Sequence, residues 1–369
     1  MRRLFMNVQT KGNEQVIQLL NEWYLEIRSR HLDKARDLKL KVEAKVNEVK
    51  DNSELLQHYL LLDFRYNYLI DNLRVSKDSF DEIDLYGVPT NSSLAYYYHF
   101  FKAIHSNAIG EYTLAKEHYE KAESLLRNIS DELEHAEFYY KLATFRYHVY
   151  QALLAITHVT KAKEIFSKHD GNELNLAFCN NLYGLACVHL REWELAEEHL
   201  TSAMNTFQKI EEEHFILMVR QNLGLMYASQ NLSSLAIRYL SEVNEKMPTN
   251  YRALFVEARE QFKLGQTEIA LELIEKGLTI CKQLENNEYQ YRLIILKSMV
   301  QNIPAQELEK VVLAGMDYFK REQLWEYVQE YTEVVAVQYH NEGNFEQGSK
   351  YFYLSYEAKK EVHKKEALK

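Results

Sequence analysis

A repeated triplet of side chains constrains the fold of this chain more than any other sequence feature. In most copies a small residue comes first, a bulky residue follows four positions later, and another small residue follows three positions after that. Seven copies occur: Ala115, Tyr119, Ala122; Ala155, Val159, Ala162; Ala196, Leu200, Ala203; Ala236, Leu240, Val243; Ala270, Ile274, Gly277; Leu308, Val312, Gly315; and Gly348, Phe352, Ser355. Their first positions are separated by 40, 41, 40, 34, 38 and 40 residues. Spacings of four and three place each triplet on one face of an α-helix.

A second set of small residues lies twelve positions before each triplet. Six of these seven residues are Ala or Gly: Ala103, Ala143, Gly184, Gly224, Ala258, Leu296 and Ala336. A small residue on one helix lets a bulky residue of the next helix approach closely. The pattern therefore predicts seven helix pairs of the tetratricopeptide type, whose unit is about 34 residues. Such an array is expected to coil into a right-handed superhelix with a concave inner face.

Composition supports an all-α fold. The 369 residues include only 3 Pro and 11 Gly, whereas a sheet protein of this size needs many turns rich in both. Residues 1–90 lack the triplet, and their apolar rhythm predicts three helices at roughly 13–29, 32–49 and 53–73. The polar stretch 75–90, with Gly87 and Pro89, reads as a linker. We therefore predict a three-helix bundle over 1–74, a linker over 75–90 and a repeat domain over 91–369.

Charge and cysteine usage limit the partners and the compartment. The formal charge is −10 and no basic stripe stands out, so we expect no nucleic-acid binding. No apolar run is long enough to span a membrane, and the first fifteen residues lack the apolar segment of a signal peptide. Three cysteines, an odd number without zinc spacing, favour a reducing compartment. We expect a cytoplasmic protein.

Motifs of self-contained enzymes are missing from the sequence. It has no HExxH, no Cys–His cluster at metal spacing, no glycine-rich phosphate loop and no GxSxG elbow. We therefore expect no metal and no cofactor. Any chemistry is expected to be completed by a partner protein.

Four segments resemble the Rap family of Bacillus and its plasmids and phages. They are LLNEWYLEIR (residues 19–28), LLQHYLLLDFRYNYLIDNL (55–73), SSLAYYYHFFKAI (92–104) and DELEHAEFYYKL (131–142). The layout of a three-helix bundle and seven repeats matches that family over essentially the whole chain. The resemblance implies a quorum-sensing regulator: members bind response regulators through the bundle and neighbouring repeats. A short Phr peptide, secreted and re-imported, binds inside the array, compacts the protein and releases the target.

Two different activities occur within that family, and the sequence does not decide between them. Some members promote loss of the aspartyl phosphate from a response regulator of the sporulation phosphorelay. Others sequester a competence regulator or act on mobile-element repressors without catalysis. Our leading hypothesis is the phosphatase, and the runner-up is a non-enzymatic sequestering protein released by the peptide. A repeat scaffold without a peptide switch is a third reading.

The resemblance also implies which residues carry these activities. Family phosphatases insert a glutamine that orients the attacking water, and the matching position here is Ser53, with Gln57 one helical turn further along. This departure puts catalysis in doubt. Contacts to the response regulator are implied for four residues: Leu56, Phe64, Asp131 and Glu134.

Peptide contacts are implied at four further positions: His148, His189, Asn222 and Arg292. Asn222 matches an asparagine that bonds the peptide backbone. His189 and Arg292 stand where many relatives have acidic residues that face a basic peptide side chain. Because this exchange removes the complement for a cation, we hypothesise a peptide carrying Asp or Glu.

Overall fold

The helices of this protein follow the predicted periodicity. The computed structural model describes residues 13–46 and 52–366, which contain eighteen α-helices and no β-strand. This confirms the all-α prediction for the described part of the chain. The last positions of the predicted second helix, 47–49, lie outside the described residues, as does most of the segment used to judge a signal peptide. None of the helices in the described ranges is both long and apolar enough to cross a lipid bilayer.

The N-terminal helices are α1 (Glu14–Arg28), α2 (Leu32–Val46) and α3 (Ser53–Ile70). Helix α3 begins where the side chain of Asn52 accepts a hydrogen bond from the backbone N–H of Leu55, an N-cap that satisfies one of the free amides of the first turn. Two 3₁₀ turns and the short helix α4 (Asp81–Asp84) follow. The predicted linker is therefore partly helical.

Seven helix pairs make up the rest of the described chain, as the triplets predict. Their bounds are α5 (Ser92–Ala108) and α6 (Tyr112–Leu126); α7 (Glu132–His148) and α8 (Ala152–Phe166); α9 (Glu173–Leu190) and α10 (Trp193–Lys209); α11 (Glu213–Ser229) and α12 (Ser233–Lys246); α13 (Tyr251–Lys263) and α14 (Thr267–Gln283); α15 (Asn287–Val300) and α16 (Ala305–Arg321); and α17 (Trp325–Asn341) and α18 (Phe345–Glu366). Each triplet lies on the second helix of its pair.

Glycines on the first helices allow the close approach that the sequence predicts. A Cβ atom at Gly184 would lie 2.8 Å from Cγ of Leu200 and 3.0 Å from the carbonyl oxygen of Ala196. At Gly224 it would lie 2.7 Å from Cγ of Leu240. Carbon atoms in contact prefer about 3.5–4.0 Å, so a larger residue would push the two helices apart.

The turn inside each pair contains one residue in the left-handed region. These seven residues are Gly110, Tyr150, Arg191, Asn231, Gly265, Asn302 and Gly343, with φ between 48° and 84°. A left-handed residue ends a helix by satisfying its last carbonyls, and Gly or Asn adopts that conformation at little cost. Tyr150 and Arg191 are the unusual members, because a bulky side chain is disfavoured there.

Packing divides the chain into two compact units. Unit 1 is Met1–Ala143 with His158–Cys179, and unit 2 is Thr144–Thr157 with Asn180–Lys369. The interior of unit 1 is rich in aromatic rings, among them the fully buried Trp23. The predicted linker falls within unit 1 rather than between the units. The assignment of 1–74 to target docking and 91–369 to peptide binding stays a prediction.

Candidate functional site

The position matched to the family's catalytic glutamine lies at the start of α3. Ser53 is the first residue of that helix and its side chain is exposed. Gln57, one turn later, is only 4% exposed, and its Nε2 donates a 2.7 Å hydrogen bond to the carbonyl oxygen of Gly87. The amide of Gln57 is therefore hydrogen-bonded to the segment after α4, while Ser53 is exposed to solvent.

The two apolar residues predicted to contact a target differ in exposure. Leu56 is half-buried at the first turn of α3. Phe64 is buried, and its ring packs edge-on against Phe80 and His105 with centroids 5.1 and 5.8 Å apart. The ring of Phe64 thus supports the interior of unit 1, and its predicted contact with a target would require that interior to open.

The two acidic residues predicted to contact a target form internal ion pairs. Arg28 of α1 pairs with Asp131 and lies 3.2 Å from Oε2 of Glu134. Glu134 is fully buried, and it also accepts hydrogen bonds from the hydroxyls of Tyr24 (2.8 and 2.9 Å) and Tyr96 (3.1 Å). Burial raises the pKa of Glu134 to about 7, although Arg28 and the Tyr24 hydrogen bond act in the opposite direction.

A second buried carboxylate lies one helical turn further along α7. Glu137 is fully buried and lies 2.8 Å from Nη2 of Arg30 and 3.0 Å from Nη2 of Arg65. Burial alone would raise the pKa of Glu137, but Arg30, Lys141 and Arg65 outweigh it and the pKa is lowered. Burial also lowers the pKa of Lys141 well below its usual value. Glu137 is therefore the ionised partner that joins α7 to α3 and to the turn between α1 and α2.

The predicted peptide residues of unit 2 are joined by aromatic rings. The imidazole of His189 on α9 is stacked between Tyr147 and Tyr150, with ring centroids 4.5 and 4.6 Å away. His148 is next in sequence and its ring lies 5.5 Å from that of Tyr147. Burial lowers the pKa of His189 to about 4, so its side chain is neutral near pH 7.

Tyr150 connects this stack to Arg292, another of the residues predicted to contact the peptide. Its hydroxyl donates a 2.9 Å hydrogen bond to the hydroxyl of Tyr327 on α17, and the two rings meet edge to face. The guanidinium carbon of Arg292 on α15 lies 4.5 Å from the centroid of Tyr327. It also lies 4.3 Å from the ring of Phe255 and 4.4 Å from that of Tyr289. His189 and Arg292, remote in sequence, thus belong to one continuous cluster.

Charge in this cluster is carried by Arg292 and Glu288. Nη1 of Arg292 donates a 3.0 Å hydrogen bond to Oε1 of Glu288, four residues earlier on the same helix. Nε of Arg292 is buried and has no hydrogen-bond partner in the structure. A buried guanidinium donor of this kind suits a carboxylate, because a hydrogen bond between charged groups is strong away from water.

Asn222, the fourth predicted peptide residue, lies on α11. It is buried, and its Nδ2 donates a 2.8 Å hydrogen bond to Oδ1 of Asn181 on α9. The two amides orient each other, which leaves the carbonyl oxygen of Asn222 to accept a further bond. No cluster of three or more His, Cys, Asp or Glu side chains within 13–46 and 52–366 is arranged to hold a metal ion.

Comparisons with known proteins agree with this architecture along the whole chain. The family model for "response regulator aspartate phosphatase H, N terminal" matches residues 10–71. Response regulator aspartate phosphatase I of Bacillus subtilis (strain 168) is 26% identical, with 100% of this chain and 96% of that protein aligned. Regulatory protein RapF of the same organism is 25% identical, with 90% and 91% aligned.

The chain is therefore similar to Rap proteins along its length, and residues 10–71 match the family model of their N-terminal region. Solved structures show the same fold. A Rap protein complexed with Competence and Sporulation Factor superposes with a TM-score of 0.77 at 22% identity, covering 96% of this chain and all of that one. The Rap conjugation gene regulator of plasmid pLS20, in complex with the Phr* peptide, gives 0.67 at 21% identity, with 96% and 98% covered.

Sequence reasoning missed most of the residues that build the unit 2 cluster. They are Tyr147, Tyr150, Asn181, Phe255, Glu288, Tyr289 and Tyr327. One of them had a sequence signal, since Glu288 precedes Arg292 by four residues on a helix. The aromatic residues had none, because a Tyr at a repeat position is as common in a helical core as in a binding site.

Proposed function

We propose that this protein is a member of the Rap family, a cytoplasmic regulator that binds a target protein through unit 1 and a short acidic peptide in unit 2. The three free cysteines are buried, which is consistent with a reducing compartment. The relatives named response regulator aspartate phosphatases support a response regulator as the target. The solved relatives in complex with signalling peptides support control by a peptide.

We infer the chemistry of the peptide from the surroundings of Arg292, whose guanidinium lies against three aromatic rings. Because His189 is neutral, the positive charge offered to a ligand comes from Arg292, whose Nη1 donates a hydrogen bond to Glu288. A carboxylate side chain on the peptide could bond the buried Nε, which has no hydrogen-bond partner in the structure. We propose an Asp or Glu at that place in the peptide.

Calorimetry with matched peptides tests this. The tightest binder from a pooled library of short synthetic peptides would be compared with two versions that carry an amide or an arginine in place of its acid. Loss of a charge-assisted hydrogen bond should weaken binding roughly tenfold or more. The preference should shrink in Arg292→Gln and persist in the control Arg220→Gln, an arginine elsewhere in the repeats. Tighter binding of the arginine peptide would contradict the proposal.

Binding of the target without catalysis is the activity that the geometry of α3 supports best. Hydrolysis of an aspartyl phosphate requires a group that holds water in line with phosphorus. The amide of Gln57 is buried and bonded to Gly87, and Ser53 offers only a short hydroxyl. The hydrogen bond between Gln57 and Gly87 is the observation that favours binding without catalysis over the phosphatase.

A second candidate is the phosphatase itself, which the names of the relatives favour. The test is the lifetime of phosphate on a purified response regulator of the sporulation phosphorelay, with wild type, Ser53→Gln and Ser53→Ala. A binding protein forms a complex on a sizing column without shortening that lifetime, and Ser53→Gln gains activity while Ser53→Ala does not. Faster loss with the wild type would instead establish the phosphatase. The absence of any complex would refute this target for both candidates.

A further inference from the structure

Three buried cations of unit 1 alternate with four aromatic rings, and we call this series the cation ladder. In spatial order its members are Phe101, Arg65, Tyr68, Lys141, Tyr140, Arg30 and Phe178. The charged group of each cation lies 4.5 to 5.4 Å from the centroids of the two rings beside it. The face of an aromatic ring attracts a cation at such distances. The ladder thus joins α3, α5, α7 and α9 to the turn between α1 and α2.

The cation ladder contains more positive than negative charge. Glu137 lies between its two arginines, with Oε1 3.0 Å from Nη2 of Arg65 and Oε2 2.8 Å from Nη2 of Arg30. Both carboxylate oxygens are therefore already paired. Lys141, four residues after Glu137 on α7, is a third cation beside this single carboxylate.

The neighbouring carboxylates do not balance the charge of the ladder. Asp131 and Glu134 form ion pairs with Arg28, which is not part of the ladder. Burial and the charges of the two ladder arginines lower the pKa of Lys141 well below its usual value, although Glu137 acts in the opposite direction. The ammonium group of Lys141 is therefore destabilised by positive neighbours that the protein does not neutralise.

Hydrogen-bond donors in the ladder also lack acceptors. The side chain of Arg65 is 3% exposed, and its Nε and Nη1 are buried without a hydrogen-bond partner in residues 13–46 and 52–366. Lys141, which is 8% exposed, adds the three donors of its ammonium group. A buried donor without an acceptor is costly, and a bound water or ion is the usual means of satisfying it. Water would supply acceptors but no charge, whereas an anion supplies both.

We propose that the cation ladder binds one monovalent inorganic anion of about the size of chloride beside Lys141 and Arg65. The ladder and the adjoining Arg28 group together hold four basic and three acidic side chains, so one negative charge balances them. Aromatic rings lie against both cations and favour a small ion. A divalent phosphate or sulfate would lose more hydration on entering. The bound anion would keep Lys141 protonated and link α3 to α7.

Urea unfolding followed by the fluorescence of Trp23 tests this proposal. The full chain is used, with Trp193 and Trp325 replaced by Phe so that only unit 1 is reported. Sodium chloride is exchanged for sodium gluconate, whose anion is too large for the site, at constant ionic strength so that screening does not change. An ion that binds only the folded chain stabilises it. The equilibrium constant for unfolding should therefore fall roughly tenfold for each tenfold rise in chloride above the dissociation constant.

A matched pair of variants separates this site from general effects of salt. Lys141→Met keeps the bulk of the side chain and both ion pairs of Glu137, but it should abolish the dependence on chloride. The control Lys121→Met removes an exposed lysine from α6 of the same unit and should retain that dependence. Equal stability of the parent protein in chloride and gluconate would overturn the proposal. A dependence on chloride that persists in Lys141→Met would overturn it as well.

Bromide locates the site directly, because it resembles chloride and scatters X-rays anomalously. Crystals grown in sodium bromide should show an anomalous difference peak at hydrogen-bond distance from Nζ of Lys141. The same peak should be missing from crystals of Lys141→Met. Bromide found only at the protein surface would be an adventitious ion only, and it would contradict an anion site in the cation ladder.

Discussion

Glu134 provides the sharpest test of the electrostatics of unit 1. Burial raises its pKa from 4.5 to about 7, against the effects of Arg28 and Tyr24. The native carboxyl therefore keeps a proton between about pH 4.5 and pH 7, where the unfolded chain has lost it. The stability contributed by this group is complete at the acid end and is lost as pH rises to 7. This change in pKa corresponds to roughly 3 kcal/mol in the free energy of unfolding.

The perturbation is Glu134→Gln. The amide keeps the shape of the protonated acid and can accept the hydroxyls of Tyr24 and Tyr96, but it cannot ionise. The wild type should lose roughly 3 kcal/mol of unit 1 stability between pH 5 and pH 8 that the variant retains. At pH 5 the two proteins should differ little.

Urea unfolding followed by tryptophan fluorescence measures this difference. Trp23 is buried on α1 in unit 1, whereas Trp193 and Trp325 lie in unit 2, so replacing those two by Phe isolates the signal of unit 1. The control Glu123→Gln removes an exposed carboxylate from α6 of the same unit and should leave the pH dependence unchanged. Parallel stability curves for the wild type and Glu134→Gln from pH 5 to pH 8 would refute the reasoning.

Three further substitutions test the packing and the buried ion pairs. Gly224→Ala should destabilise unit 2 by about 1–3 kcal/mol, because the new Cβ would lie 2.7 Å from Cγ of Leu240; an unchanged thermal midpoint would contradict this. Tyr150→Phe should cost about 1 kcal/mol in urea unfolding by removing the hydroxyl bonded to Tyr327, and identical urea midpoints would show that this bond contributes nothing. Glu137→Gln should lower the stability reported by Trp23 by about 3–5 kcal/mol, because two buried arginines lose their charged partner; a loss below about 1 kcal/mol would argue against a structural role for these pairs.

Helix pairing was predictable because it depends on local periodicity. The triplet and the small residue twelve positions upstream identified all seven pairs and the contacts of Gly184 and Gly224. These features express relations between positions three, four or a fixed turn apart, which a single sequence displays directly. The family resemblance rested on the same kind of contiguous segment, such as residues 55–73.

Burial within the aromatic interior was not predictable in the same way. Nothing around Gln57 in the sequence indicates that its amide bonds to Gly87 thirty residues later. Phe and Glu are residue types found both on docking surfaces and in cores. Only the packing of unit 1 places Phe64 and Glu134 in the interior. The pKa of Glu134 follows from that placement, because desolvation depends on all neighbours in space.

The sequence by itself determined the main helices, the number of repeats and the resemblance to the Rap family. Tertiary structure alone decided which side chains meet: Tyr147 and Tyr150 around His189, three rings around Arg292, and Glu137 between two arginines. The physical reason is the distance along the sequence over which each effect acts. Helical periodicity acts over a few residues, whereas the charge and hydrogen bonding of a buried group are set by residues that folding brings together from distant repeats.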